Sequence, residues 1–348
     1  MTKKNQPKEV TAEQFIDQYF KKIGIGGHVK PEQFWRLLTK KFGKLADEFA
    51  DCVEARENGQ KVDPYVLKNQ TIEFANAIAA QFDAAKLRST ALWFLREQFQ
   101  LTDMMVLEVG CDNGILLCMI ATLFPDTKFT GIDPCEPAIK IARERAKYLE
   151  LTNVEFQVAT LDMFVEASNK SVFDLILSVT VFHELLGDSF FDSSETILSD
   201  SNSTFSIEEA DKEFMPKCIE INDLKILAQI LSTDGKFISI DRWATERTLL
   251  KWIRLNEKVG LCWSLPISNM IKFKDPFSKS QILPLTVFYK GSKAPLLACD
   301  VLSFKAYPGF VDLPAYHLIE DTMVAEMIYS ALTKEEIYFH ECVFNDGS

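Results

Sequence analysis

Apolar and polar positions follow two different rhythms, and the change falls near residue 100. Before it, apolar residues recur at helical spacing. Phe15, Tyr19 and Phe20 form one stripe, and Phe34, Leu37, Leu38 and Phe42 form another behind Pro31. Leu67, Ile72, Phe74, Ala75 and Ile78 follow, then Leu87, Ala91, Leu92 and Leu95. The Gly24 to His28 stretch and Asp63-Pro64 interrupt the rhythm and read as turns. This predicts an N-terminal helical region over 1–100. Beyond it, short apolar runs alternate with amphipathic stretches, which predicts an α/β domain over 101–348 with a mostly parallel sheet covered by helices on both faces.

The predicted strands are 104–109, 127–132, 154–158, 173–179 and 236–240, with helices at 115–124, from Pro137 onward, and at 223–231. Ser232 to Gly235 reads as a turn. Then come a helix at 246–259, strand candidates at 285–289, 297–304 and 336–344, and a helix at 314–332. A polar insertion, 186–222, separates the fourth strand from its following helix. Serines alternate there with acidic residues, a composition that suits either disorder or a lid. Its departure from a strand's C-terminal end favours the lid.

Composition narrows the picture modestly. No run of about 18 uncharged apolar residues occurs, so no membrane span is expected, and the polar N-terminus lacks a signal-peptide core. A cytoplasmic protein is the expectation. The closing Asn345-Asp346-Gly347-Ser348 reads as a hairpin turn without its returning strand, which suggests a natural chain that continues. The net charge of −12 disfavours sequence-blind binding to bulk nucleic acid. The eight cysteines include no CxxC pair and the four histidines lack ligand spacing, so reduced core thiols and no metal are expected.

The chemistry gathers at strand ends. Glu108, Asp133, Asp162 and the Thr180/His183 region close successive predicted strands, and in a parallel sheet those ends share one edge. Gly110 and Gly114 frame a tight turn into the first helix. Asp133 is placed to accept from both hydroxyls of a ribose, Asp162 from an exocyclic amine of a purine, and Met163 to cover the base. A dinucleotide fingerprint fails, because its three glycine positions are Gly110, Asp112 and Ile115. Asp112 and Glu108 would also repel a pyrophosphate, and no P-loop is present. An adenosine with a cationic tail and no phosphate suits this acidic edge, and S-adenosylmethionine has that chemistry.

The segments VLEVGCDNG, FTGIDP, ATLDMF and FDLILSVTVFHEL, in this order and spacing, resemble the successive motifs of class I S-adenosylmethionine-dependent methyltransferases. The resemblance covers roughly 101–241. It implies a Rossmann-like, mostly parallel seven-stranded sheet with one antiparallel strand near an edge. It also implies that Glu108, Gly110 and Gly114 cradle the methionine part, with Asp112 in the same turn. Asp133, beside Pro134, would hold the ribose, Asp162 and Met163 the adenine, and Ser178, Val179 and Thr180 would pass beneath the sulfonium. Asp112 departs from the glycine usual there.

His183 and Glu184 follow the fourth strand and are the candidates for a catalytic base, although His183 also fits a pocket-lining or capping role. Trp243 and Tyr289 belong either to an acceptor pocket or to the core. The N-terminal helices suit an acceptor-side cap or a homodimer contact. Their aromatic content favours a small-molecule or protein acceptor. The alternative is a methyltransferase-like module that binds cofactor or a partner without turnover.

Overall fold

The computed structural model describes residues 11–27, 29–96, 101–167, 172–186, 222–242, 252–253, 255–264, 270–275 and 279–290. The N-terminal rhythm forms α1 (Ala12–Lys22), α2 (Pro31–Phe42), α3 (Lys44–Glu57), α4 (Tyr65–Lys68), α5 (Ile72–Phe82) and α6 (Ala84–Arg96). Local chemistry sets the starts. Thr11 and Gln14 form a reciprocal capping box at α1, Pro31 sits in the first turn of α2, and the Thr71 hydroxyl accepts from Phe74 N–H at α5. The apolar stripes of α2, α3 and α5 meet in a core of Phe34, Leu38, Ala46, Phe49, Phe74 and Ile78. Phe42 and Phe49 pack edge-on against Phe74 at 5.0 and 5.6 Å.

The α/β part contains β1 (Met105–Val109), α7 (Ile115–Leu123), β2 (Lys128–Asp133), α8 (Glu136–Tyr148), β3 (Val154–Val158), α9 (Leu161–Ala167) and β4 (Phe173–Val179). Then follow α10 (Phe182–Leu186), α11 (Asn222–Ile230), β5 (Leu231–Ile240), β6 (Leu261–Ser264), β7 (Met270–Lys274) and β8 (Ser280–Lys290). The strand order is β3-β2-β1-β4-β5-β8-β6, with β7 off this path beside β8. The β2–β3, β1–β4 and β4–β5 pairs are parallel, while β8 runs antiparallel to β5 and to β6. The mostly parallel α/β sheet with one antiparallel strand next to an edge matches the expectation.

The chain divides into two compact units. One holds Met1–Met104, Gly110–Thr160 and Ile271–Gln281; the other holds Met105–Val109, Leu161–Met270 and Ile282–Ser348. In the first, the N-terminal helices are tied to α7 and α8. Tyr19 donates its hydroxyl to the Ile115 carbonyl at 2.8 Å. Buried Arg145 donates to the Asn113 carbonyl and to Asn76 Oδ1, and Asn76 donates to the Ile23 carbonyl. Gly131 stands opposite Phe156 in the β2–β3 register, and a Cβ there would lie 2.6 Å from that ring. In the second unit, Phe182, Phe237, Trp252 and Phe288 form an aromatic cluster, with Phe182 and Trp252 ring centres 4.9 Å apart.

Two expectations need correction. β5 starts earlier than expected, at Leu231, but residues 232–235 drop out of its register with β4, which passes from Phe173–Leu231 directly to Leu175–Lys236, so the expected turn persists as an irregularity inside the strand. Strands β6 and β7 were not anticipated, because each has only four or five residues and follows the expected stop at Gly260 too closely for a clear alternation. The candidate strand at 285–289 is present within β8. The elements expected at 297–304, 314–332 and 336–344, the insertion except its end residues 186 and 222, His28, and Trp243 lie outside the described residues. No helix among the described residues is long and apolar enough to cross a membrane.

Candidate active site

Two groups of polar residues stand out, one in each unit. In the first, the turn at 110–114 bends back on the end of β2. The N–H groups of Gly110 and Cys111 both donate to the Ile132 carbonyl, at 2.9 and 3.0 Å. Gly110, Asp112 and Gly114 all have left-handed backbone, with φ of +70°, +47° and +72°. Glycine is required at 114 for a second reason, since a Cβ would approach Phe156 to 2.8 Å and Ala142 to 2.9 Å. Gly114 then caps α7.

Asp133 ends β2, followed by Pro134. One of its oxygens accepts from Asp112 N–H at 2.9 Å, and the other from Cys135 N–H at 2.8 Å. Each carboxylate oxygen can accept a second bond. Burial pushes the Asp133 carboxyl up to about 6; the nearby Asp112 charge adds to this, while the two N–H bonds and the Lys68 charge oppose it. Asp112 is engaged from outside the turn. Its Oδ2 lies 2.8 Å from Lys68 Nζ, and its Oδ1 accepts from Asn69 Nδ2 at 2.9 Å. Lys68 also contacts Asp83 at 3.0 Å. Burial disfavours the Lys68 ammonium, but Asp112 and Asp83 outweigh it and hold the group above the ordinary lysine range.

In the second unit, the residue that organises the site is Asp241, directly after β5 and completely buried. Its Oδ2 accepts from the N–H groups of Phe182 and His183 at 2.8 and 3.3 Å, and its Oδ1 accepts from Arg242 N–H at 2.7 Å. His183 Nδ1 lies 2.6 Å from Oδ1. An ionised carboxylate only accepts, so Nδ1 carries a proton, and in the neutral ring Nε2 is then the acceptor. The Glu184 carboxylate lies 3.8 Å from Nε2. The carboxylate therefore fixes the entry to α10 and the tautomer and orientation of the imidazole together. His183 retains 17% side-chain exposure.

The remaining sequence candidates occupy varied settings in this unit. Glu108 is buried in β1, opposite Leu177. Ser178 is fully buried and opposite Ser239, and neither hydroxyl makes a hydrogen bond among the described residues. Val179 is buried beside it. Thr180 has φ +55° and donates its N–H to the Ile240 carbonyl at 2.7 Å. Asp162 and Met163 are exposed in the first turn of α9. Tyr289 is half-buried in β8.

Asp112 with Asp133, and His183 with Glu184, are thus brought together within their units. Sequence reasoning missed Asp241, Lys68 and Asn69. Asp241 carried a usable signal, because it closes a predicted strand as Asp133 does. Lys68 and Asn69 carried none, since they sit at the end of a four-residue helix far from the turn in sequence.

A parallel α/β sheet ordered 3-2-1-4-5, extended by an antiparallel strand, with a glycine turn after β1 and an acid after β2, defines the class I methyltransferase fold. A methyltransferase-domain family model matches residues 101–275, half of the chain, and the chain belongs to that family. Among curated proteins it is 26% identical over 141 residues to a tRNA (guanine-N(7)-)-methyltransferase of Prochlorococcus marinus (strain NATL1A), covering 39% of this chain and 54% of that protein. It is 30% identical over 93 residues to ribosomal RNA small subunit methyltransferase C of Cronobacter sakazakii (strain ATCC BAA-894), covering 27% of this chain and 25% of that one. The chain therefore spans about half the length of the first relative and a quarter of the second. A solved magnesium protoporphyrin IX methyltransferase from Synechocystis PCC 6803 with bound SAM is 15% identical, with a TM-score of 0.39, over 74% of this chain and 97% of that one. No conclusion rests on that structural likeness.

Proposed function

We propose that this protein is an S-adenosylmethionine-dependent methyltransferase whose acceptor loses a proton as it is methylated, with His183 as the general base and Asp241 as the residue that orients it. The acceptor this favours is a hydroxyl on a small molecule or a protein side chain. The observation that carries the reading is the 2.6 Å contact between His183 Nδ1 and a fully buried carboxylate.

The fit to the cofactor comes from the first unit. Asp133 has acceptor capacity on both oxygens for a pair of ribose hydroxyls, and Gly110 and Gly114 leave the turn without side chains at two of its left-handed positions. The family resemblance assigns the methionine end to Glu108, Gly110 and Gly114, with Asp112 in the same turn. It assigns the ribose to Asp133 beside Pro134, the adenine to Asp162 and Met163, and the methyl-bearing centre to Ser178, Val179 and Thr180. When bound, the cofactor supplies a methyl group activated by its positive sulfur.

The protein's own task is alignment and proton removal. A neutral His183 accepts the acceptor's proton at Nε2 and becomes an imidazolium. Asp241 at Nδ1 holds the ring in place for that transfer, and Glu184 lies 3.8 Å from Nε2. The proton then leaves to solvent from the partly exposed ring.

A second reading, an RNA acceptor, is supported by the two curated relatives, which are named as tRNA and ribosomal RNA methyltransferases. Those alignments cover 39% and 27% of the chain, so they bear on the shared domain more than on the acceptor side. The test supplies methyl-labelled S-adenosylmethionine to the purified protein with hydroxyl compounds, amines, proteins and RNA. The expected result is label on hydroxyl acceptors, at a rate that rises with pH through one ionisation. Label on RNA alone would replace this reading with the second. Cofactor binding with no transfer to any acceptor would identify a binding module instead of an enzyme.

A further inference from the structure

The turn at 110–114 contains an arrangement that its own residues do not explain. Of its three left-handed positions, two are glycine and the third is Asp112, at φ +47°. A residue with a Cβ disfavours that conformation, aspartate less than most when its side chain finds hydrogen-bond partners, and the Asp112 carboxylate finds them outside the turn. Those partners come from α4 and the residue after it. Lys68 Nζ and Asn69 Nδ2 each bind a different oxygen of Asp112, at 2.8 and 2.9 Å. Asn69 Oδ1 accepts from Asn113 Nδ2 at 3.1 Å, so one asparagine grips two consecutive residues of the turn. Asn69 and Asn113 are each 1% exposed, which shelters this bond from water. The backbone N–H of the held residue then donates to Asp133 at 2.9 Å.

We propose that Lys68 and Asn69 are positioning residues for cofactor binding: they clamp Asp112 in the left-handed conformation, so the N-terminal helical region fixes the shape of the turn and the placement of the Asp133 carboxylate. In this account Asp112 acts as a strut, with one oxygen held by Lys68 and the other by Asn69. The inference rests on the cofactor site proposed at this turn, and it makes 1–100 part of that site.

The test is a double-mutant cycle on the full chain, read as the Kd for S-adenosylhomocysteine by calorimetry, with thermal unfolding recorded for each variant. Asn69→Ala weakens binding about tenfold, equivalent to about 1.4 kcal/mol. Glycine adopts the left-handed conformation unaided, so Asn69→Ala added to Asp112→Gly costs severalfold less than in the aspartate background, the remainder being the lost bond to Asn113. Lys68→Gln follows the same pattern and carries the cycle if Asn69→Ala does not fold. Equal losses in the aspartate and glycine backgrounds, or no loss in either, overturn the clamp. Failure of the wild-type protein to bind S-adenosylhomocysteine instead removes the cofactor-site reading beneath it.

Discussion

Asp133 and Asp241 hold equivalent places, each a carboxylate at the end of a parallel strand, yet they are used differently. Both accept backbone N–H bonds on both oxygens. Asp241 is completely buried and adds a side-chain partner, His183. Asp133 is only partly covered, its added neighbour is the like charge of Asp112, and its carboxyl is pushed up to about 6, chiefly by burial. A strand-end acid with an imidazole partner fixes the orientation of that ring. One with unspent lone pairs and partial exposure suits hydroxyl recognition. The strand end supplies a carboxylate already anchored by backbone, and its neighbours decide its use.

The largest test of that contrast falls on the imidazole. With a hydroxyl acceptor, His183→Ala lowers kcat by about a hundredfold to ten-thousandfold, the usual range for a lost general base. The Kd for cofactor changes little, since the role proposed for His183 is toward the acceptor's proton and not toward the cofactor. Steady-state kinetics beside calorimetry reads both quantities, and a full rate without His183 would end its role as base.

A smaller effect concerns the turn. Gly114→Ala destabilises the fold by about 1–3 kcal/mol, because φ is +72° and the new Cβ lies 2.8 Å from Phe156. Urea unfolding measures this. An unchanged midpoint would show that the turn tolerates a side chain and is not shaped as described.

The smallest effect is a pH dependence confined to Asp133. Its carboxyl is raised from 3.8 to about 6, so its unfavourable contribution to stability develops as pH rises through that window and is constant above it. Cofactor recognition runs the other way, because the ionised form accepts from hydroxyls on both oxygens. Affinity for S-adenosylhomocysteine therefore falls severalfold as pH drops through about 6. Asp133→Asn flattens this dependence, and a dependence that survives the substitution belongs to another group.

Much of this was legible in the sequence because it depends on local pattern. The strand at 154–158, the strand at 173–179 and the glycine turn all follow from short apolar runs and punctuation. Asp133 was legible because a carboxylate directly after such a run stands at the sheet's edge. The partners were not. Asp241 closes its strand in the same way as Asp133, but its pairing with His183 crosses 58 positions and depends on the β4–β5 register. Lys68 and Asn69 reach Asp112 across more than 40 positions from a four-residue helix, too short to show a periodic face. Residues 232–235 read as a turn because Ser-Thr-Asp-Gly is turn chemistry, and they stand out of register with β4; what the pattern did not show is that Leu231, before them, already pairs with Phe173.

The central claim is that a class I cofactor is held at the turn after β1 and by Asp133. A crystal structure of the complex with S-adenosylhomocysteine tests it most directly. The account predicts both ribose hydroxyls within hydrogen-bonding distance of the Asp133 carboxylate and the amino-acid end against residues 110–114. A ligand bound elsewhere, or a ribose that does not touch Asp133, would contradict it.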